Sequence, residues 1–146
     1  MKPDLSYENS YYPKLVIGID EAGRGPLAGP VVAAAVHIHD TPKFQVNDSK
    51  KLSPKSRADL YELITSTYKY SVSIIDREVV DDINILNATM SAMKEAAEHF
   101  DENYSVVLVD GNRKPKIEKK EVVTIVKGDS KSFSIAAASI VAKVTR

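Results

Sequence analysis

Four carboxylates in this sequence stand where apolar, strand-like runs give way to turns. Asp20 and Glu21 follow the run at residues 15–19, Asp110 follows the uninterrupted apolar residues 106–109, and Asp129 follows a glycine shortly after residues 122–126. Removing a charge from water is costly, so acids at the ends of core strands need a compensating partner. A hard divalent cation is the direct one, since Mg²⁺ and Mn²⁺ take oxygen ligands and keep several waters. Two such ions about 4 Å apart can clamp both the attacking and the leaving oxygen of a phosphoryl transfer, a task that takes about four carboxylates, one of them bridging. Taken singly, the acids have plainer readings. Asp beyond a strand forms turns and caps helices, which suits Asp129 ahead of a helix and Asp110 ahead of Gly111. The adjacent Asp20 and Glu21 fit that account less well, because two like charges closing one apolar run repel each other.

The turn after the first acids, Gly23-Arg24-Gly25-Pro26-Leu27-Ala28-Gly29, misses the G-x-G-x-x-G spacing of dinucleotide sites, its third glycine falling one position late. Glycines there leave main-chain N–H and C=O groups open to a close ligand. Arg24 between them can grip a phosphate with two parallel bonds; a tight turn with a solvated Arg is the alternative. Lys50 and Lys51, in Asn47-Asp48-Ser49-Lys50-Lys51, precede a helix, and donors there suit phosphate contact. Arg113-Lys114-Pro115-Lys116 is similar, although a solvated charge run explains either stretch in isolation. Asn84 and Asn87, at i and i+3, share one face of a helix start. They are placed either to reach a nucleic-acid backbone or to cap the helix and edge the core. His37 and His39 share a strand face, but without a third soft ligand nearby they read as an edge pair rather than a zinc site.

The elements that must position these groups follow from periodicity. Residues 15–20 and 31–39 read as strands, and the loop between them holds three Gly and two Pro. Ser53-Pro54 is an N-cap followed by Pro at the first helical position, opening a helix to about residue 66 with Leu60, Tyr61 and Ile64 on one side. Residues 68–76 alternate, with Tyr68, Tyr70, Val72 and Ile74 on one strand face. A helix over residues 82–100 carries the apolar stripe Ile83, Leu86, Met90, Met93, Ala97 and Phe100. Strands at 106–109 and 122–126 precede a last helix at 132–146, where Ala136, Ala137 and Ala138 permit close packing. This order predicts an α/β fold with a mixed sheet. Residues 1–13 read as a polar tail and 14–146 as one domain. The last helix reaches the chain end without a C-cap signal, which reads as a truncation that leaves this helix exposed.

Composition narrows the classes. The absence of Cys removes disulfides, thiolate zinc sites, Cys nucleophiles and iron–sulfur clusters. No apolar run reaches the roughly 18–20 residues of a membrane span, and the N-terminus lacks a signal peptide's apolar stretch; a cytoplasmic monomer is expected. Net charge is zero, which by itself argues against a nucleic-acid binder. The charges are segregated, however. Residues 43–57 hold five basic groups and one acid, and residues 110–131 seven and four, whereas residues 76–102 hold eight acids and two basic groups. A neutral total can thus conceal a basic face beside an acidic pocket.

With these residues in place, the sequence resembles ribonuclease HII, the bacterial type 2 ribonuclease H. The segment Ile19-Asp20-Glu21-Ala22-Gly23-Arg24-Gly25-Pro26-Leu27-Ala28-Gly29-Pro30-Val31-Val32 carries the family's signature. Asp48-Ser49-Lys50-Lys51-Leu52, Val109-Asp110-Gly111, Lys127-Gly128-Asp129-Ser130 and the Ser134 to Val144 stretch follow in family order. The resemblance implies an RNase H-like fold, a five-stranded mixed sheet flanked by helices. It implies Asp20, Glu21, Asp110 and Asp129 as catalytic ligands of two Mg²⁺ or Mn²⁺ ions, with Asp20 bridging. It implies that Gly23-Arg24-Gly25 reads the ribose 2′-OH, the group that separates RNA from DNA. The implied reaction is hydrolysis of the RNA strand of RNA–DNA hybrids, and cutting 5′ to ribonucleotides embedded in DNA, with 5′-phosphate and 3′-hydroxyl ends. Family members continue beyond the last helix, so an alternative expectation is a hybrid-binding fragment impaired in catalysis. An actin-like phosphotransferase, from Asp20 beside a Gly-rich turn, is a remoter one.

Overall fold

Apolar residues are densest in the strands at 31–37 and 106–110, and these two come to lie on either side of the central strand. The computed structural model describes residues 2–23, 29–46 and 51–146. In chain order the elements are α1 (Ser6–Asn9), β1 (Val16–Ala22), β2 (Val31–His37), α2 (Pro54–Thr67), β3 (Lys69–Ile75), α3 (Arg77–Ile83), α4 (Ile85–Glu98), β4 (Val106–Asp110), β5 (Glu121–Ile125) and α5 (Phe133–Thr145). The five strands lie in the order β3-β2-β1-β4-β5. β1 runs antiparallel to β2 and parallel to β4, which makes the sheet mixed as predicted.

Each face of the sheet carries its own core. On one, α4 lays Ala88, Ala92, Met93, Ala96 and Ala97 against Ile17, Ile19, Val107 and Val109. On the other, Ala136, Ala137, Ile140 and Val141 of α5 meet Val32, Ala34 and Val36, with Ile64 of α2 beyond. Ala33, Ala34 and Ala35 keep β2 thin on both sides, so helices approach it closely from above and below. Gly18 extends the same logic. A Cβ there would lie 2.4 Å from the backbone carbon of Ser134, so only glycine lets the first turn of α5 rest on β1.

Several expectations change. The helix predicted over 82–100 divides at Asn84, whose φ of 68° breaks the run between α3 and α4. Asn tolerates positive φ better than most residues, and its Oδ1 accepts the Asn87 N–H at 3.0 Å. The hydrophobic periodicity is continuous across that break, because side-chain pattern does not report backbone reversal. β1 runs on to Ala22, so Asp20 and Glu21 lie inside a strand and not at its end. The predicted apolar face of β3 is only half covered: Val72 packs inward, but Tyr70 and Ile74 are 40% and 52% exposed on this edge strand. The last helix is not exposed. Every residue from Phe133 to Ala142 is buried, between the sheet, α2 and the N-terminal segment. That segment, expected to be a polar tail, docks there through Glu8. Its Oε2 accepts the Ser134 N–H at 2.9 Å and the Ser132 hydroxyl at 2.8 Å, setting a carboxylate at the positive end of α5. The N-cap of α2 is as predicted: Ser53 accepts the Ser56 N–H, with Pro54 in the first turn.

Candidate active site

Strand register brings the first two acids together. The parallel pairing of β1 with β4 ends at Ile19 opposite Val109, and each strand then contributes an aspartate, Asp20 and Asp110. Both stand two residues beyond a position on the α5 side, Gly18 and Leu108, so alternation sends them to one face. The third acid arrives from the next strand. Asp110 pairs with Ile125 at the end of β5, and the chain then turns through a single 3₁₀ turn, Gly128–Ser130, that carries Asp129. The Gly128 N–H donates to Asp110 Oδ1 at 2.7 Å, tying the turn to the strand. A Cβ on Gly128 would fall 2.6 Å from Ile135 Cδ1 and 3.4 Å from Asp110 Cα, so glycine is what admits this contact.

One carboxylate oxygen from each of Asp20, Asp110 and Asp129 lies within 4.8 Å of the other two. Asp20 and Asp129 are each 5% exposed, and Asp110 is half-buried. Burial drives the Asp20 carboxyl well above the ordinary carboxylate range, and the charges of Glu21 and Asp110 push it further the same way. The Glu21 N–H, donating to Asp20 Oδ1 at 2.8 Å, offsets this in part. Two carboxylates ~4 Å apart repel by about 4 kcal/mol at the effective dielectric of a protein surface. A site that gathers three of them, two buried, is therefore poised for a cation. The donor set is all oxygen and carries several charges, which fits a hard divalent ion and not a soft one. Among the described residues this trio is the one group of three or more acid, His or Cys side chains so placed. Glu21 adjoins it without joining the trio. His37 and His39 are drawn apart: His37 Nδ1 contacts the Val16 carbonyl at 2.8 Å, while His39 packs edge-on against Tyr68.

The remaining expected site residues are placed unevenly. Gly23 ends the strand at φ 107°, where a Cβ would lie 2.4 Å from the Pro30 carbonyl oxygen. Arg24, Gly25 and Lys50 lie outside the described residues, as do Asn47, Asp48 and Ser49. Lys51 is exposed just before α2. Asn84 and Asn87 are both exposed, and both side chains serve the α3–α4 junction, Asn87 Nδ2 donating to the Ile83 carbonyl at 2.9 Å. One residue was not foreseen. Arg146 Nε donates to the Pro30 carbonyl at 3.0 Å, and its guanidinium packs against Gly23 and Gly29 at the base of the glycine-rich loop. No local sequence pattern pairs it with a turn 116 residues earlier.

Known proteins share the sequence and the fold. A sequence model of the family Ribonuclease HII matches residues 17–146. The chain belongs to the ribonuclease HII family. It is therefore a ribonuclease H of type 2, a hydrolytic endonuclease. A ribonuclease HII of Rickettsia canadensis (strain McKiel) is 54% identical over 143 residues, 97% of this chain and 72% of that protein. The ribonuclease HII of Archaeoglobus fulgidus, solved in complex with PCNA, superposes with a TM-score of 0.75 at 28% identity, covering 90% of this chain and 72% of that one. A Bst ribonuclease HIII in complex with Mn²⁺ shares the fold, with a TM-score of 0.72 at 20% identity over 90% of this chain and 51% of that one. The RNase H-like architecture expected from the resemblance is thus the one observed.

Proposed function

We propose that this chain hydrolyses the RNA strand of RNA–DNA hybrids and cuts 5′ to ribonucleotides embedded in DNA. The observation that carries the reading is the convergence of Asp20, Asp110 and Asp129 within 4.8 Å at one end of the central strands. Together with Glu21 they would hold two divalent cations, Mg²⁺ or Mn²⁺, with Asp20, which lies beside both Glu21 and Asp110, placed to serve both ions. When bound, such an ion pair supplies Lewis acidity to the attacking and leaving oxygens of a phosphodiester hydrolysis. Water adds to phosphorus, the P–O3′ bond breaks, and the products are a 5′-phosphate and a 3′-hydroxyl.

The protein's own groups orient that reaction. The Gly128 N–H fixes Asp110, and the tight glycine contact beneath it sets Asp129 beside its partners. Gly23-Arg24-Gly25 would read the ribose 2′-hydroxyl, since main-chain groups free of a Cβ allow a close ligand. Lys50, Lys51, Asn84 and Asn87 contribute donors to the backbone on either side.

The deciding experiment uses a DNA duplex carrying one ribonucleotide, incubated with Mg²⁺ or Mn²⁺. A nick 5′ to the ribonucleotide, lost in Asp110→Asn with the melting temperature retained, is the expected result. Undiminished cutting by that variant refutes the assignment of the acids, and duplex binding without scission by the unaltered chain refutes the hydrolytic reading.

A further inference from the structure

A charged groove leads away from the catalytic end of the sheet, and none of the acids described above touches it. Beyond Asp110 the chain crosses to β5 through residues 111–120, folding against α4 as it goes. Pro115 and Ile117 point inward and are buried, Ile117 within the α4 core. Lys114 before them and Lys116 between them are turned outward and exposed. Facing them, α4 presents Asn87, Ser91 and Lys94, spaced +4 and +7 and so on one helical face. Between these two walls lies a groove of about 410 Å³ with Met90 among its lining. No acid lines it, and among the described residues Lys94, Lys114 and Lys116 have no ion pair, whereas Lys14 and Lys119 do.

The direction of the groove follows from topology. The C-terminus of α4 leads by a short link into the start of β4, so its N-terminus lies at the end of the sheet where Asp110 stands. The groove therefore begins at the same end of the sheet as the acids and runs along α4 on the opposite face from them. Three unpaired ammonium groups on two walls, with amide and hydroxyl donors between them, match a chain of phosphates better than one small anion. We infer that this groove is a track for the sugar–phosphate backbone of the bound duplex where it continues beyond the cut. The inference deepens the hydrolase reading above and rests on it for the identity of the polyanion.

The test measures binding, not cutting. A fluorescent RNA–DNA hybrid is titrated without divalent metal over a range of salt, using the unaltered chain, Lys94→Gln/Lys114→Gln, and the control Lys14→Gln/Lys69→Gln. The control removes the same charge at the opposite end of the sheet, where Lys69 opens β3 and Lys14 precedes β1. Each phosphate that a removed ammonium no longer neutralises lowers the log–log salt slope by about one. The groove variant is expected to weaken binding about 10-fold and to lower the slope by about two, while the control keeps the original slope. An unchanged slope in the groove variant, or an equal fall in the control, overturns the track. A chain that binds through the groove yet never nicks a ribonucleotide duplex removes the hydrolase reading and leaves the track standing. A chain that binds no hybrid removes both.

Discussion

Asp20 is the residue on which burial and charge press hardest. Its carboxyl keeps its proton to higher pH in the folded chain than in the unfolded one, first through burial and then through Glu21 and Asp110. The sign of the linkage follows. Without metal, the folded state binds the extra proton, so its stability is greatest below the unfolded carboxylate value of about 3.9 and declines as pH rises through the raised value. Asp20→Asn removes that decline. The metal-free variant should melt a few degrees above the unaltered chain at neutral pH, with the gap closing as pH is lowered toward about 4. Thermal scans at both pH values check this, and a gap that does not depend on pH contradicts it. Arg146 ties the last residue of the chain to Pro30 and Gly23 across the fold. Arg146→Lys keeps the charge but loses the Nε donor to Pro30, and one net hydrogen bond of about 1 kcal/mol corresponds to roughly a 3 °C fall in melting temperature. Thermal scans of the two chains check this, and an unchanged melting temperature contradicts it. Of the acids that converge, Asp20, Asp110 and Asp129 were legible in the sequence because a carboxylate following an apolar run is a local signal. Arg146 was not, because its partner lies across the fold.

Elements succeed here where a helix can touch a strand without an intervening side chain. Gly18 makes that contact beneath the first turn of α5. Gly18→Ala forces a methyl to 2.4 Å from the Ser134 backbone, where no flexible side chain can yield. The expected destabilisation is about 3 kcal/mol or more, or roughly 10 °C in melting temperature. Because α5 follows directly on the turn bearing Asp129, metal affinity should fall as well. Calorimetry with and without Mg²⁺ measures both, and a variant that melts normally would show that α5 can lift off β1 freely. The same scale explains the divided helix. A continuous apolar stripe predicted one helix, and Asn84 interrupts it with a positive φ that its own side chain helps to stabilise. Such a reversal leaves no mark on hydrophobic periodicity.

For the molecule as a whole, the acids trade stability for metal binding. The folded chain gathers three carboxylates that repel one another, and the unfolded chain does not. A cation that binds only the folded state stabilises it by about 2.7 kcal/mol at a hundredfold excess over Kd, which raises the melting temperature of a domain this size by roughly 8 °C. Mg²⁺ or Mn²⁺ should produce that rise in the unaltered chain and not in Asp110→Asn; an equal rise in both would place the ions elsewhere. Sequence alone determined the chain order of the five strands, the acids that follow apolar runs, the N-cap at Ser53 and the glycine-rich segment. These depend on local propensity, on periodicity and on residues next to one another in the chain. Tertiary structure decided which acids meet, the burial of α5 beneath a docked N-terminal segment, and the pairing of Lys94 with Lys114 across one groove. Those depend on strand register and on contacts between distant segments, where the free energy of packing, not the pattern within any one segment, selects the arrangement.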